Sequence, residues 1–191
     1  MRLPALGHPL QPLASRSQTR CDLTRETTTP DAFTMHSPLE YRPAQPTDVA
    51  ECFVIRGQTR ENAVSVTRLA ALGITGESWS ESVQTGALPG FVCRDAARII
   101  GYCFGDRATG EVVVLALLPD FENQGIGRQL LDLLVAKLIH SGRTRLFLGC
   151  SADSASRSYG FYRHLGWRST RQFDRHGDEI LEYHRNTLAQ A

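Results

Sequence analysis

A mixed α/β fold, with about six to seven strands flanked by helices, is predicted by three observations. Strand-like and helix-like segments alternate from residue 39 to about residue 185; one strand is nearly all apolar; and one long helix carries a continuous apolar stripe. Leu39 to Arg42 reads as a short first strand closed by Pro43. Pro46-Thr47-Asp48 opens a helix expected to run to about Arg60, with Thr47 or Asp48 as its cap. Ser65 caps a second helix through Val66, Leu69 and Ala70, and Thr75 or Gly76 starts a third through Trp79 and Val83. Phe91 to Arg94 and Ile99 to Phe104 form a hairpin about the turn Asp95-Ala96-Ala97-Arg98. Glu111 to Leu118, with Val112-Val113-Val114-Leu115 at its centre, is expected to be a central strand covered on both faces. A helix from Gly127 to His140 places Leu130, Leu131, Leu134, Val135 and Leu138 on one face and ends at Ser141-Gly142. A strand from Arg145 to Cys150, a helix from about Ser154 to Leu165 and a hairpin around His176-Gly177-Asp178 complete the series.

The 191 residues suit one ordinary domain with some chain to spare, and 41% hydrophobic with 21% charged residues is a globular balance. There is no run of about 18 apolar residues, so a membrane partner is not expected. Residues 1–34 are rich in Pro, Ser and Thr and lack apolar periodicity, as expected of a disordered leader or of an extension from an upstream start; the domain proper is assigned to 35–191, from Met35 onward. The leader holds Arg2, Arg16, Arg20 and Arg25 against Asp22, Glu26 and Asp31, so the formal charge of +1 belongs to it and the domain is neutral. A broad polyanion-binding surface is therefore not expected, which argues against nucleic acid, and any anionic ligand must be held by a local device. Cys21, Cys52, Cys93, Cys103 and Cys150 are odd in number and lack Cys-x-x-Cys spacing. Neither a disulfide framework nor a metal centre is expected, and a reducing, cytoplasmic setting fits best.

The segment that carries chemistry runs from the apolar strand into the long helix. Pro119 stops the strand, and Asp120-Phe121-Glu122-Asn123-Gln124-Gly125-Ile126-Gly127 leads directly into the helix. Gly125 and Gly127 let a ligand approach the backbone closely, and the first helical amides lack internal partners at the positive end of the helix dipole. Arg128 adds a full charge beside them, and a pyrophosphate is the natural occupant. The loop is not a Walker A motif, because no Gly-Lys-Ser or Gly-Lys-Thr follows. It is not the dinucleotide fingerprint either, because Leu130 stands where a third glycine is needed.

Residues 118–131, Leu-Pro-Asp-Phe-Glu-Asn-Gln-Gly-Ile-Gly-Arg-Gln-Leu-Leu, resemble the acetyl-CoA-binding motif of the GNAT superfamily of N-acetyltransferases. The family pattern, Arg or Gln, two variable residues, Gly, one variable residue, then Gly or Ala, falls on Glu122, Gly125 and Gly127, with Glu122 the departure. The resemblance implies a mostly antiparallel sheet splayed between its fourth and fifth strands, with acetyl-CoA as cosubstrate and no metal. It also implies phosphate binding by the backbone of Gln124, Gly125, Ile126, Gly127 and Arg128, and backbone contacts from Leu117 and Leu118 to the pantetheine arm and acetyl carbonyl. Phe161-Tyr162-Arg163-His164-Leu165-Gly166-Trp167 resembles a second family segment, aromatic-Tyr-x-x-x-Gly-aromatic. It implies that Tyr162 protonates the departing thiolate, as a phenol with a pKa of about 10 is equipped to do. Where the family often has Asn and Ala, this chain has Ala155 and Ser158, so a polar contact to the CoA arm falls to Ser156, Arg157 or Ser158.

Glu111, eight residues before Pro119, matches the family's glutamate that relays a proton from the acceptor amine; as part of Gly110-Glu111 it also reads as an exposed turn residue. Cys150 reads as a packed core residue. Glu61, Asn62 and Trp79 fall where the family covers its acceptor site, and helix-surface or capping roles suit Glu61 and Asn62 equally. The implied reaction is acetyl transfer to a primary amine of a small molecule or peptide in a ternary complex, by a chain that acts alone or as a homodimer. The competing reading is a non-catalytic acyl-CoA-binding or regulatory module on the same fold.

Overall fold

The computed structural model describes residues 38–184, in two antiparallel sheets. The expected leader, residues 1–34, lies outside the described residues. The first sheet has strand order β1-β2-β3-β4, from β1 (Glu40–Pro43), β2 (Gly90–Asp95), β3 (Arg98–Gly105) and β4 (Val112–Leu117). Between β1 and β2 come α1 (Val49–Arg56), α2 (Val66–Ala71) and α3 (Gly76–Gln84). After β4 follow α4 (Ile126–His140), β5 (Arg145–Cys150), α5 (Arg157–His164), β6 (Arg168–Phe173) and β7 (Glu179–His184), with the second sheet ordered β5-β7-β6.

Two of the expected caps are in place, whereas at the first helix Asp48 makes no side-chain cap bond, its carboxylate being taken by Arg42 and the Gln45 amide. Ser65 Oγ accepts from the Arg68 amide at 3.2 Å, and Thr75 and Ser78 form a reciprocal capping box at the start of α3. The first helix differs from expectation. A single 3-10 turn, Pro46–Asp48, precedes it, and it stops at Arg56 rather than near residue 60, because the chain turns at Gly57 and the Thr59 hydroxyl donates to the Arg56 carbonyl. Asp48 ties this entry to the sheet. Its carboxylate accepts two bonds from Arg42 of β1, at 2.7 and 2.8 Å, and one from the Gln45 amide at 2.7 Å.

The core follows from the apolar stripe of α4. Ile126, Leu130, Leu131, Leu134 and Leu138 are all within 1% of complete burial, packed with Ile100, Cys103 and Val112 of the first sheet and Leu146, Leu148 and Leu181 of the second. Each such side chain contributes about 1.5–3 kcal/mol. On the opposite face, Cys52 and Ile55 of α1 pack on Val92, Tyr102, Phe104 and Ala116.

The fourth strand is apolar because both faces are covered, by α4 and by α1, but it is an edge rather than a central strand. Only an isolated parallel bridge, Glu111 to Phe147, joins it to β5, together with the Phe147 amide donating to the Gly110 carbonyl at 3.2 Å. Beyond this vertex β4 and β5 diverge, which is the splay expected of the fold. One extra residue, Val113, bulges from β4 where its register with β3 shifts at Phe104/Gly105, and Val113 is 39% exposed. Among the described residues, no helix is long and apolar enough to cross a membrane.

Candidate active site

The divergence of β4 and β5 opens a cleft of about 650 Å³. One wall is β4 from Val112 to Leu117 with the loop that follows it; the other is the end of β5 with the start of α5. Antiparallel pairing decides which backbone groups of β4 are available. The Leu118 amide donates to the Ile100 carbonyl at 2.9 Å, so Leu118, Ala116 and Val114 direct their backbone groups at β3, while Leu117 and Leu115 direct theirs at the open edge. Leu117 thus presents an N–H and a C=O to the cleft. The Leu118 amide is committed to the sheet.

At the far end of the cleft, α4 begins. Gly125 is its cap residue at φ +80, a left-handed conformation that costs an L residue about 1–2 kcal/mol. Gln129 is the first amide of the helix to reach a carbonyl, that of Gly125 at 3.0 Å, so the amides of Ile126, Gly127 and Arg128 precede the internal ladder. A side chain at Gly127 would meet nothing closer than Phe161 at 3.7 Å and Leu115 at 3.8 Å. Gly125 is therefore required by its backbone angle, whereas Gly127 has room for a methyl group. The Ile126 side chain is buried in the core, and the Gln124 side chain donates to the Asp120 carbonyl at 3.1 Å, leaving both residues only backbone groups to offer at the loop. The Arg128 guanidinium is mostly exposed, with Asp132 3.6 Å away.

Glu122, the departure from the family pattern, has a defined place. Its carboxylate accepts from Arg60 Nε at 2.9 Å and from the guanidinium of Arg157, whose other nitrogen donates to Asn123 Oδ1 at 2.9 Å. The Glu61 carboxylate accepts the backbone amide of Arg157, at 3.2 and 3.3 Å from its two oxygens. These contacts join the α1–α2 connection, the glycine loop and the start of α5, and set two arginines beside the amides of α4. Nothing in the sequence marks Arg60 among twenty arginines. Ser156 caps α5 by accepting from the Tyr159 amide at 3.3 Å and lies 2.9 Å from the Ser158 hydroxyl; of the two serines only Ser158 lines the cleft.

Tyr162 also lines the cleft. Its position is set by the end of α5, where the Trp167 amide bonds to the Tyr162 carbonyl at 3.1 Å and the Gly166 amide to that of Arg163 at 3.1 Å, with Gly166 left-handed at φ +89. This is a Schellman cap, and it accounts for the aromatic-Tyr-x-x-x-Gly-aromatic pattern: the glycine permits the reversal, and Trp167 folds back edge-on to Tyr162 at 6.2 Å. Burial pushes the Tyr162 phenol well above its ordinary range, so the hydroxyl stays protonated. It has no hydrogen-bond partner among the described residues.

Glu111 stands at the vertex of the splay, below Val112, and does not itself line the cleft. Burial, with Asp106 and Asp174 nearby, raises its pKa. The hairpin turn between β6 and β7 brings Asp178 to the cleft wall beside Gly149 of β5, a carboxylate that the sequence hides in an ordinary turn. Of the acceptor candidates, Asn62 and Glu61 line the main cleft, whereas Trp79 lines a smaller adjoining cavity. Cys150 lines the cleft but is 2% exposed, and burial raises its thiol pKa. Among the described residues no group of His, Cys, Asp and Glu is arranged to hold a metal ion.

Residues 66–167, more than half of the chain, match the family model described as the acetyltransferase (GNAT) family. The fold is shared with the PaiA N-acetyltransferase of Thermoplasma acidophilum solved in complex with coenzyme A, at TM-score 0.65 and 16% identity, over 78% of this chain and 99% of that one. It is shared with yncA of Salmonella typhimurium, solved with its cofactor acetyl-CoA, at TM-score 0.61 and 20% identity over 81% and 98%. It is also shared with the ribosomal-protein-S18-alanine N-acetyltransferase of Escherichia coli, at TM-score 0.55 and 18% identity over 75% and 90%. No curated protein sequence matches the chain.

Proposed function

The chain belongs to the GNAT family of acetyltransferases, and from that membership we propose that it transfers the acetyl group of acetyl-CoA directly to a primary amine, of a small molecule or peptide, in a ternary complex. The observation that carries this reading is the junction of the splayed edge of β4 with the glycine-capped start of α4, in one cleft lined by Tyr162. The residues fit acetyl-CoA. The amides of Ile126, Gly127 and Arg128 receive the diphosphate, with Arg60 and Arg157 beside them, and Leu117 bonds the extended arm through its backbone. Acetyl-CoA supplies the acyl thioester.

In this reading the amine must be neutral to form the new C–N bond. The amine attacks in its neutral form, and as the C–N bond forms Glu111, with its raised pKa, takes through water the proton that the nitrogen sheds; Asp178 offers a second carboxylate on the opposite wall. As the C–S bond breaks, Tyr162 gives its proton to the sulfur. The phenol is protonated at neutral pH, and burial strengthens its hydrogen bond to the sulfur as charge develops there; the same burial makes it a weaker acid, so the proton passes only as the thiolate forms. Four described cysteines, all free and buried, support the expected cytoplasmic setting.

Initial-rate kinetics test the ternary complex. With both substrates varied, intersecting double-reciprocal lines are expected. Parallel lines, with an acetylated protein trapped in the absence of amine, would overturn direct transfer in favour of an acyl-enzyme, for which Cys150 is the nucleophile lining the cleft.

A further inference from the structure

Beside the main cleft lies a second cavity of about 190 Å³. Its walls are almost wholly apolar: Phe53 of α1, Leu69 of α2, Ile74 and Trp79 on the far side, and Val113 and Val114 of β4. Trp79 is fixed as a wall by edge-on contacts with Phe53 and Phe104, each at 5.4 Å between ring centroids. The two cavities meet at the bulge of β4, since Val113, Val114 and Arg56 line both.

Arg56 is the one cation in this apolar recess. It is half-buried at the last position of α1, and one of its nitrogens donates to the Asn62 carbonyl at 2.6 Å. It belongs to none of the ion pairs among the described residues. Its guanidinium sits at the junction of the two cavities and, with one nitrogen bonded to Asn62, keeps further N–H donors for an anion. Tyr102, 1% exposed, lines the same cavity.

We propose that the acceptor is a free α-amino acid with an apolar side chain: the side chain enters the recess between Trp79, Leu69 and Val113, the carboxylate pairs with Arg56, and the α-amine projects over the bulge into the main cleft. This rests on the transferase reading above and narrows its acceptor. The recess has room for a leucine, methionine or phenylalanine side chain. A polyamine would bring its second cation against Arg56 and the apolar walls, and a peptide would present an amide where the carboxylate is needed.

The test compares kcat/KM for the full-length protein with acetyl-CoA and four classes of amine: L-leucine, L-methionine and L-phenylalanine; their decarboxylated counterparts isoamylamine, 3-(methylthio)propylamine and phenethylamine; spermidine; and a leucine-initiated tetrapeptide. The amino acids are expected to exceed their decarboxylated counterparts by roughly ten- to a hundredfold, the worth of a charge-assisted hydrogen-bonded pair. In Arg56→Met, checked for an unchanged melting profile, that ratio is expected to fall to near one, and Trp79→Ala is expected to raise KM for leucine more than for glycine. Equal rates with and without the carboxylate, an unaltered ratio in Arg56→Met, or spermidine or the tetrapeptide as the best acceptor would each overturn the inference while leaving the transferase reading intact. Release of no CoA with any amine would overturn the transferase reading itself, and this inference with it.

Discussion

The Glu122 carboxylate holds the Arg157 guanidinium across the cleft, from the loop before α4 to the first residue of α5. Arg60 closes on the same carboxylate from a third segment. The family position usually filled by a cationic or amide side chain is thus acidic here, with the cations supplied by its neighbours. Restoring the family residue, Glu122→Arg, is therefore expected to destabilise the protein. Three guanidinium groups would crowd the position of one carboxylate that is 15% exposed. Because the two arginines are themselves partly solvated, the cost is about 1–3 kcal/mol, seen as a melting temperature lower by about 2–4 °C for each kcal/mol.

The two glycines of the loop are expected to respond differently. Gly125→Ala forces a side chain into the left-handed region and is expected to cost about 1–2 kcal/mol, with weaker acetyl-CoA binding as the cap shifts. Gly127→Ala has ordinary contacts to Phe161 and Leu115 and is expected to change stability by less than about 0.5 kcal/mol. Denaturant titration and calorimetric binding of acetyl-CoA check both; equal losses at the two positions would contradict the assignment.

How much of this was legible in the sequence depended on how local the signal was. The caps at Ser65 and Thr75, the apolar face of α4, the β2–β3 hairpin and the glycine loop are each written in contiguous residues, and each is found in place. The edge position of β4 was not legible, because an apolar strand reads the same whether its faces or its edges are covered. The partners of Glu122 were not legible either, since Arg60 and Arg157 reach it from 62 and 35 residues away. Asp178 is hidden for the same reason: a hairpin turn gives no sign of which cleft it will face.

The pH dependence of turnover follows from the raised pKa of Glu111. A raised carboxylate keeps its proton to higher pH, so its capacity as a base is lost on acidification at a pH above the ordinary 4.5. Free amine is also lost in proportion to acidity. The plot of log kcat/KM against pH is therefore expected to have a slope of about one through neutrality, steepening to about two below the Glu111 pKa. Glu111→Gln should lower the rate and keep a slope of one throughout; an unchanged steepening would assign the base elsewhere, with Asp178→Asn the next variant to measure.

Acid stability is expected to depend on Asp48. Burial alone would raise its pKa, but the bonds from Arg42 and Gln45 outweigh that and hold it below the ordinary carboxylate value of 3.8. A depressed carboxylate stabilises the fold at all pH values above its unfolded pKa, and the contribution disappears as pH falls through the lower folded value. Asp48→Asn is expected to lower stability by about 1–3 kcal/mol at pH 7, a deficit that narrows below about pH 4. Chemical denaturation at pH 7 and pH 3 measures the difference, and a deficit that persists undiminished at pH 3 would show that geometry rather than charge is lost.

The central claim is that Tyr162 acts as the proton donor of an acetyl transfer in the β4–β5 cleft. The most direct measurement is CoA-thiol release from acetyl-CoA in the presence and absence of amine, for the wild type and Tyr162→Phe, alongside calorimetric binding of acetyl-CoA to both. The expected result is amine-dependent release with one acetylated amine per thiol, reduced about 10²–10⁴-fold in Tyr162→Phe while acetyl-CoA binding persists. Undiminished release by Tyr162→Phe, or binding of acetyl-CoA by the wild type without release for any amine, would contradict it.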